Sequence, residues 1–215
     1  MDIEKNFEKY CDILRSTHVD GIENLINYLK ESDFKTAPAS TNYHNNFVGG
    51  LCEHSLNVYQ EIRRLVGLYI PKEVYSQEDF QKSVKLVALL HDISKANFYT
   101  KQIQNRKEYK ADGAHSDTAG KFDWIQVETY RVKDVKDREN LFGDHGLNSY
   151  MIASKYIKIT DDEAIAIINH HLSLDNNGRA RTDISEILNR CPLATLLSLA
   201  DTVSAYIIEN PYIVE

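Results

Sequence analysis

A mostly apolar segment in the middle of the chain ends in side chains that are costly to bury. Residues 84–90 read VKLVALL, and His91 and Asp92 follow at once, with Lys95 three positions after the aspartate. An ionised carboxylate in apolar surroundings is strongly unfavourable unless a cation or several hydrogen-bond donors accompany it. Asp92 therefore requires a partner, which either the rest of the chain or a bound metal ion must provide.

Four histidines and two aspartates lie on the predicted inner faces of helices, because apolar residues recur near each of them at helical spacing. They are His54, His91, Asp92, His145, His170 and Asp201. A single histidine on an apolar face is more often a core residue than a ligand, but six such positions favour a shared metal site. Imidazole and carboxylate ligands together suit Mn, Fe, Ni, Co or Zn, with Mg possible. The absence of thiolate pairs argues against a structural zinc site.

These side chains can converge only if the helices that carry them pack in one core. Apolar periodicity predicts helices over residues 3–14, 22–29, 51–70, 77–91, 145–157, 161–171 and 192–209. Residues 101–140 are polar instead and contain a strand-like segment at 122–130, for which 107–110 is the predicted pairing partner. The sequence therefore predicts an all-α fold with a small β-hairpin inserted at about 101–140.

Composition restricts the class of protein. The chain has 215 residues, of which 42% are hydrophobic, and a net charge of −7. This length suits one large domain, and the negative charge argues against an extended nucleic-acid surface. The three cysteines form no CxxC pair, which indicates a reduced, intracellular chain. The charged N-terminal segment predicts no signal peptide, and no stretch approaches the length of an apolar membrane span, so we expect a cytoplasmic protein that does not bind membranes.

The order H…HD…H…H…D, in which LLHDISK supplies the HD pair and the following lysine, resembles the HD-domain superfamily of metal-dependent phosphohydrolases. The segment APASTNYHNNFVGGLCEHSLNVY is similar to the same part of the HD domain in bacterial YhaM-type exoribonucleases and in related bacterial and phage HD proteins. The resemblance runs from about Thr36 to Tyr206, although Ser94 stands where many relatives have glycine. We therefore expect residues 1–215 to form a single HD domain with a helical core at about 36–209.

The resemblance also implies ligands for two divalent metal ions. The ligands of the first metal would be His54, His91, Asp92 and Asp201. Those of the second would be His145, His170 and Asp92, which would bridge the two ions. His171 stays open as an alternative to its neighbour, although the flanking residues favour His170.

Two neighbouring metal ions suit phosphate-ester hydrolysis, because together they activate water and stabilise the attacking and leaving oxygens. The expected function is a metal-dependent phosphohydrolase acting on a nucleotide, a cyclic nucleotide or oligonucleotide, or another small phosphate ester. Asp92 and Lys95 are the candidate catalytic residues, and the lysine would neutralise a phosphate oxygen or protonate the leaving group. The candidate substrate-binding residues are Lys95, His44, Arg179 and Arg181. For His44 and the two arginines, an ordinary loop or surface role is an equal alternative.

Two other functions share these residues. A few HD-fold proteins use the same ligands in a di-iron oxygenase, which bound iron and oxygen consumption would identify. A non-catalytic module that binds a nucleotide is the third possibility, and tight binding without turnover would identify it.

Overall fold

Helices form most of the secondary structure in this computed structural model, which describes residues 2–139, 144–171 and 184–210. The helices in these ranges are α1 (Ile3–Arg15), α2 (Ile22–Glu31), α3 (Gly50–Tyr69), α4 (Lys72–Tyr75), α5 (Glu78–Leu90), α6 (His145–Ala153), α7 (Asp161–Ile168), α8 (Ile184–Arg190) and α9 (Pro192–Val203). The strands are β1 (Tyr99–Tyr109), β2 (His115–Asp117) and β3 (Gly120–Val132). Short 3-10 helices cover Ile93–Lys95 and Val135–Asp137, and a π-helix covers Ser204–Ile208. The predicted helical fold with a small β insertion is confirmed.

Local signals fix where three helices near the candidate site begin. The side chain of Asp144 accepts a hydrogen bond from the backbone N–H of Leu147 and so caps α6. Thr160 and Glu163 form a capping box at the start of α7. Each cap of this kind contributes about 1 kcal/mol. Gly49 precedes α3 with φ at 86°, in the left-handed region where glycine is favoured.

The centre of the core is formed by α3, α5 and α9. Helix α3 packs against both α5 and α9, and also against α1. The residues that fill the space between them are fully or almost fully buried: Leu51, Val58, Ile62, Val87, Leu90, Leu197 and Ala200. Burial of each large aliphatic side chain contributes about 1.5–3 kcal/mol. This packing holds in fixed relative positions the helices that carry His54 and Asp201 and the helix that ends just before His91.

The inserted sheet is larger than the predicted hairpin. Strand β1 pairs antiparallel with β3, in a register that runs from Tyr99 opposite Val132 to Tyr109 opposite Phe122. The short β2 pairs with the start of β3, so the strand order is β1–β3–β2. The predicted partner segment, 107–110, covers only the end of β1. Most of β1 is exposed, and an exposed strand lacks the hydrophobic alternation by which strands are predicted.

Three predicted helix ends differ from the structure. Helix α6 ends at Ala153 rather than at 157, α7 ends at Ile168 rather than at 171, and the predicted helix 192–209 changes to a π-helix at Ser204. Apolar residues continue past the ends of α6 and α9, so periodicity alone does not mark them, whereas α7 is followed by the polar residues 169–171. The prediction also missed the short helices α4 and α8.

Within the described ranges, no single helix has the length and apolar character needed to cross a membrane. The segments Ile184–Arg190 and Pro192–Ile208 reach these criteria only when taken together, and they are bent by 108° relative to each other.

Candidate metal centre

His91 and Asp92 lie at the end of α5, where the chain leaves the helix within the core. His91 still has helical backbone angles, whereas Asp92 has φ at −117° and ψ at 12° and begins the 3-10 turn Ile93–Lys95. This turn brings the Lys95 ammonium back to the aspartate, and its Nζ lies 2.7 Å from Asp92 Oδ2. Both His91 and Asp92 are essentially inaccessible to solvent. The lysine therefore provides a partner for only one of the two oxygens of this buried carboxylate.

One oxygen of Asp92 faces the first group of imidazoles. Asp92 Oδ2 lies 3.4 Å from His91 Nε2 and 3.7 Å from His54 Nε2. The two Nε2 atoms are 3.3 Å apart, and His54 Nε2 is 3.0 Å from Asp201 Oδ1. Helices α3, α5 and α9 thus bring these four residues into one buried cluster.

The other oxygen of Asp92 faces a second pair of imidazoles. Asp92 Oδ1 lies 3.6 Å from His145 Nε2 and 3.7 Å from His170 Nε2. These two ring nitrogens are 3.1 Å apart. His145 is the first residue of α6, and His170 follows the end of α7. A single carboxylate therefore lies between two groups of histidines.

The hydrogen bonds of the outer ring nitrogens orient the inner ones toward the two clusters. His91 Nδ1 lies 2.8 Å from the carbonyl of Ala88, and His170 Nδ1 lies 2.7 Å from the carbonyl of Ile167. A carbonyl only accepts hydrogen bonds, so each Nδ1 carries a proton, and Nε2 is the ring nitrogen that faces inward and can bind a metal ion. The Nε2 atoms of His54 and His145 lie 3.3 and 3.1 Å from these inward nitrogens, so a proton or a metal ion must lie between the two nitrogens of each pair.

The donor set fits metal ions at both positions. Among the described residues, Asp92 Oδ1 is buried and has no hydrogen-bond donor. Potential metal-binding groups include His54 with His91 and Asp92, and also His145 with His170 and His171. The buried histidine and aspartate clusters are thus compatible with metal binding.

Electrostatics favours neutral imidazoles in the second cluster and a cation in the first. Burial lowers the pKa of His145 to about 4, and burial followed by the proximity of His91 holds the pKa of His170 well below its usual value. Burial also lowers the pKa of His54, but hydrogen bonds to Asp201 and Glu209 outweigh it and raise the pKa to about 10. The carboxylates around His54 therefore retain a positive charge there, carried by a proton or by a metal ion.

Glu209 was not predicted from the sequence, although it contacts the site directly. Both of its carboxylate oxygens lie 3.1 Å from His54 Nδ1, and Asn57 Nδ2 donates to Oε1 at 2.9 Å. Its side chain is only 2% exposed. The π-helix after α9 brings this glutamate to His54, and its backbone N–H donates to Ser204. The sequence offers one signal for this contact: Asn57, one helical turn after His54 on the same face, is a polar residue that donates to Glu209.

The remaining predicted residues lie at different distances from the clusters. His44 packs its ring against His54 with centroids 4.7 Å apart, and burial followed by the charge of His54 lowers its pKa to about 4. His171 Nδ1 is 3.8 Å from Asp201 Oδ2, and its ring is 4.6 Å from that of His145. The structure therefore keeps His171 close enough to stay an alternative ligand. The predicted substrate-binding residues Arg179 and Arg181 fall outside the described residues.

Ser94 contacts the start of α6. Its hydroxyl donates to the backbone carbonyl of His145 at 2.8 Å and accepts from the hydroxyl of Ser149 at 3.0 Å. The hydroxyl thus ties the turn after Asp92 to the start of α6. It helps to fix the position of His145 relative to Asp92.

A sequence profile described as the HD domain matches residues 51–206. This chain belongs to the HD-domain family. The matched range includes all six residues of the two clusters, and the predicted resemblance to this family is confirmed. Comparison with curated proteins and with solved structures finds no match, so nothing narrows the assignment within HD domains.

Proposed function

We propose that this HD domain hydrolyses phosphate esters at a binuclear metal centre. The observation that carries the proposal is the position of Asp92, whose two oxygens each face a different pair of histidines at 3.4–3.7 Å. A carboxylate in this position can bind two metal ions at once. HD domains are typically metal-dependent phosphohydrolases, which supports the same reaction class.

The two clusters provide separate ligand sets in this proposal. The first metal would be held by His54, His91, Asp92 and Asp201. The second would be held by His145, His170 and Asp92, with His171 as an additional candidate. Divalent ions bound there would supply Lewis-acid activation of water and of the phosphoryl group. Mn, Fe, Co, Ni and Zn all suit imidazole and carboxylate ligands.

Lys95 is the proposed catalytic residue outside the ligand sets. Its ammonium donates to Asp92 Oδ2, and its side chain, 12% exposed, also borders the cavity beside His145. From this position Lys95 can donate a hydrogen bond to a phosphoryl oxygen and neutralise part of its charge. His44, which packs against His54, is a second candidate for contact with substrate.

The proposed substrate is a small phosphate ester, such as a nucleotide or a short or cyclic oligonucleotide. The cavity beside the clusters has a volume of about 360 Å³, within the usual range of roughly 300–1,000 Å³ for small-molecule sites. The chain as a whole carries a net charge of −7, so an anionic substrate must be attracted by groups at the site itself.

A metal-by-substrate screen tests this proposal. The metal-free protein is loaded with each candidate metal and assayed for release of phosphate or nucleotide from nucleoside phosphates, cyclic nucleotides, short oligonucleotides and p-nitrophenyl esters. We expect hydrolysis with at least one metal and a loss of at least about 100-fold in Asp92→Asn, because the shared ligand of both ions is weakened.

Asp79→Asn is the matched control, since Asp79 is an exposed carboxylate that pairs only with Lys82 among the described residues. It should retain wild-type activity. Full activity in Asp92→Asn, or no hydrolysis in any combination, would contradict the proposal. Oxygen consumption by the iron-loaded protein without hydrolysis would instead indicate the oxygenase alternative.

A further inference from the structure

The cavity beside the second cluster has walls from two parts of the chain. His145 and Asn148 on α6 and Lys95 form the side next to the clusters. Residues 96–99 and the segment that follows β3, including Arg138, form the rest. If the scissile phosphate binds at the metal centre, the remainder of the substrate extends into this cavity. The segments that flank the inserted sheet therefore form part of the cavity wall.

Arg138 has a fixed orientation at this wall. Its Nε donates to the carbonyl of Lys133 at 2.8 Å, and its guanidinium carbon lies 5.3 Å from the centre of the Phe98 ring. The backbone N–H of Lys133 also donates to the carbonyl of Phe98 at 3.0 Å, which joins the end of β3 to the start of β1. Within the described ranges neither contact of the Arg138 side chain uses the two terminal guanidinium nitrogens as donors. Arginine can pack over an aromatic ring while those nitrogens stay available for hydrogen bonds.

The other charged groups of the cavity wall already have partners. Lys95 pairs with Asp92, and Glu139 accepts a hydrogen bond from the side chain of Asn97. Asp144 is occupied as the cap of α6. Within the described parts of the chain, the Arg138 guanidinium has no carboxylate partner, so its terminal nitrogens are the cationic donors left for a ligand.

We propose that Arg138 binds a second phosphate group of the substrate, so that the preferred substrates carry two phosphate groups. A planar guanidinium can bind a phosphate through two parallel hydrogen bonds. The first phosphate would be bound by the metal ions of the two clusters and by Lys95, so Arg138 is available for a second one. This inference rests on the proposed function for the position of the first phosphate. It adds a specificity determinant from the segment that follows the inserted sheet.

Binding of two non-hydrolysable probes tests the inference without turnover. Methylphosphonate and methylenebisphosphonate are titrated calorimetrically into manganese-loaded protein, and the metal content is measured before and after, so that metal removal is not taken for binding. The variants are Arg138→Met, which keeps an adaptable side chain against Phe98, and Arg138→Lys, which keeps the charge. Arg131→Met is the matched control, because Arg131 pairs with Asp134 at the surface.

We expect the wild type to bind the bisphosphonate at least about tenfold more tightly than the monophosphonate, as a charge-assisted contact allows. Arg138→Met should lose this preference and keep its affinity for methylphosphonate, Arg138→Lys should lose part of it, and Arg131→Met should match the wild type. Equal affinity of the wild type for the two probes, including no measurable binding of either, would overturn the inference. So would an unchanged preference in Arg138→Met, or an equal loss for both probes, which would place Arg138 at the first phosphate.

These outcomes are independent of the hydrolysis screen. A protein that hydrolyses phosphate esters but shows no role for Arg138 in bisphosphonate binding would retain the proposed function and lose this inference. A protein that binds the bisphosphonate through Arg138 but hydrolyses no substrate would lose the proposed function and keep Arg138 as a phosphate-binding residue.

Discussion

Replacement of Glu209 by glutamine should weaken the first metal position selectively. In the structure both oxygens of this carboxylate lie 3.1 Å from His54 Nδ1, and one of them also accepts from Asn57. The glutamate thereby fixes the ring orientation and increases the basicity of the Nε2 atom that faces the cluster. Glutamine has a similar shape but lacks the charge and has a single acceptor oxygen.

The size of the effect follows from these contacts. The glutamine Oε1 can still accept from both His54 and Asn57, but its NH₂ group then lies against the same His54 N–H, and the negative charge beside the ring is lost at a site that is 2% exposed. Removal of the partner that orients a metal-binding histidine typically reduces metal affinity by about 10–100-fold. This corresponds to about 1.4–2.8 kcal/mol of binding free energy.

Calorimetric titration of Mn²⁺ into the metal-free protein measures this change. We expect the affinity of one of two sites to fall in Glu209→Gln while the other is nearly unchanged, because His145 and His170 do not contact Glu209 among the described residues. The control is Glu61→Gln, a carboxylate on the same helix α3 that pairs with Arg64. Unchanged affinity at both sites would refute the role of Glu209, and an equal loss at both would indicate a general effect on the fold.

Three further predictions concern the second cluster, its support and the bound metal. His145→Ala should reduce the metal content from two ions to one and abolish hydrolysis, which elemental analysis and the activity assay would measure; two retained ions would contradict it. Ser94→Gly should lower the free energy of unfolding by about 1–3 kcal/mol in urea titrations, because the buried Ser149 hydroxyl and the His145 carbonyl lose their partner. A stability within about 0.5 kcal/mol of wild type, the usual range for neutral surface substitutions, would count against that contact. Chelation should lower the melting temperature of the wild type, because ligands that bind only the folded state stabilise it, and should have much less effect on Asp92→Asn.

Much of the site was predictable because its residues lie on strongly patterned helices. His54 and Asp201 share helix faces with buried aliphatic residues, and the apolar segment before His91 places that residue in the core. A polar side chain buried on such a face needs a polar or metal partner, and that partner must also lie in the core. The family resemblance then added the order of the ligands and the bridging position of Asp92.

The contacts that were missed depend on backbone changes that leave no sequence pattern. Glu209 reaches His54 because the last helix changes to a π-helix at Ser204, whereas a regular continuation would direct the side chain elsewhere. His170 was predicted as a ligand, but its helix was predicted too long: it lies beyond the end of α7, where Asn169 has left helical geometry with φ at −110°. Such changes depend on tertiary packing, which local periodicity does not report.

The inserted sheet was predictable in kind but not in extent. Phe122 is buried and stands at the start of the segment recognised as a strand. Strand β1 instead carries polar residues over most of its length, and its pairing with β3 is determined by the register of the whole hairpin. Arg138 lies beyond β3, and its position depends on the contacts of its side chain with the Lys133 carbonyl and the Phe98 ring, which could not be derived from the sequence.

The central claim is that Asp92 bridges two metal ions, and the electron paramagnetic resonance spectrum of manganese-loaded protein tests it most directly. With elemental analysis alongside, we predict two Mn²⁺ ions per chain and an exchange-coupled signal, which Asp92→Asn weakens or abolishes while Asp79→Asn preserves it. A single ion per chain, or two ions with uncoupled signals in the wild type, would contradict the account.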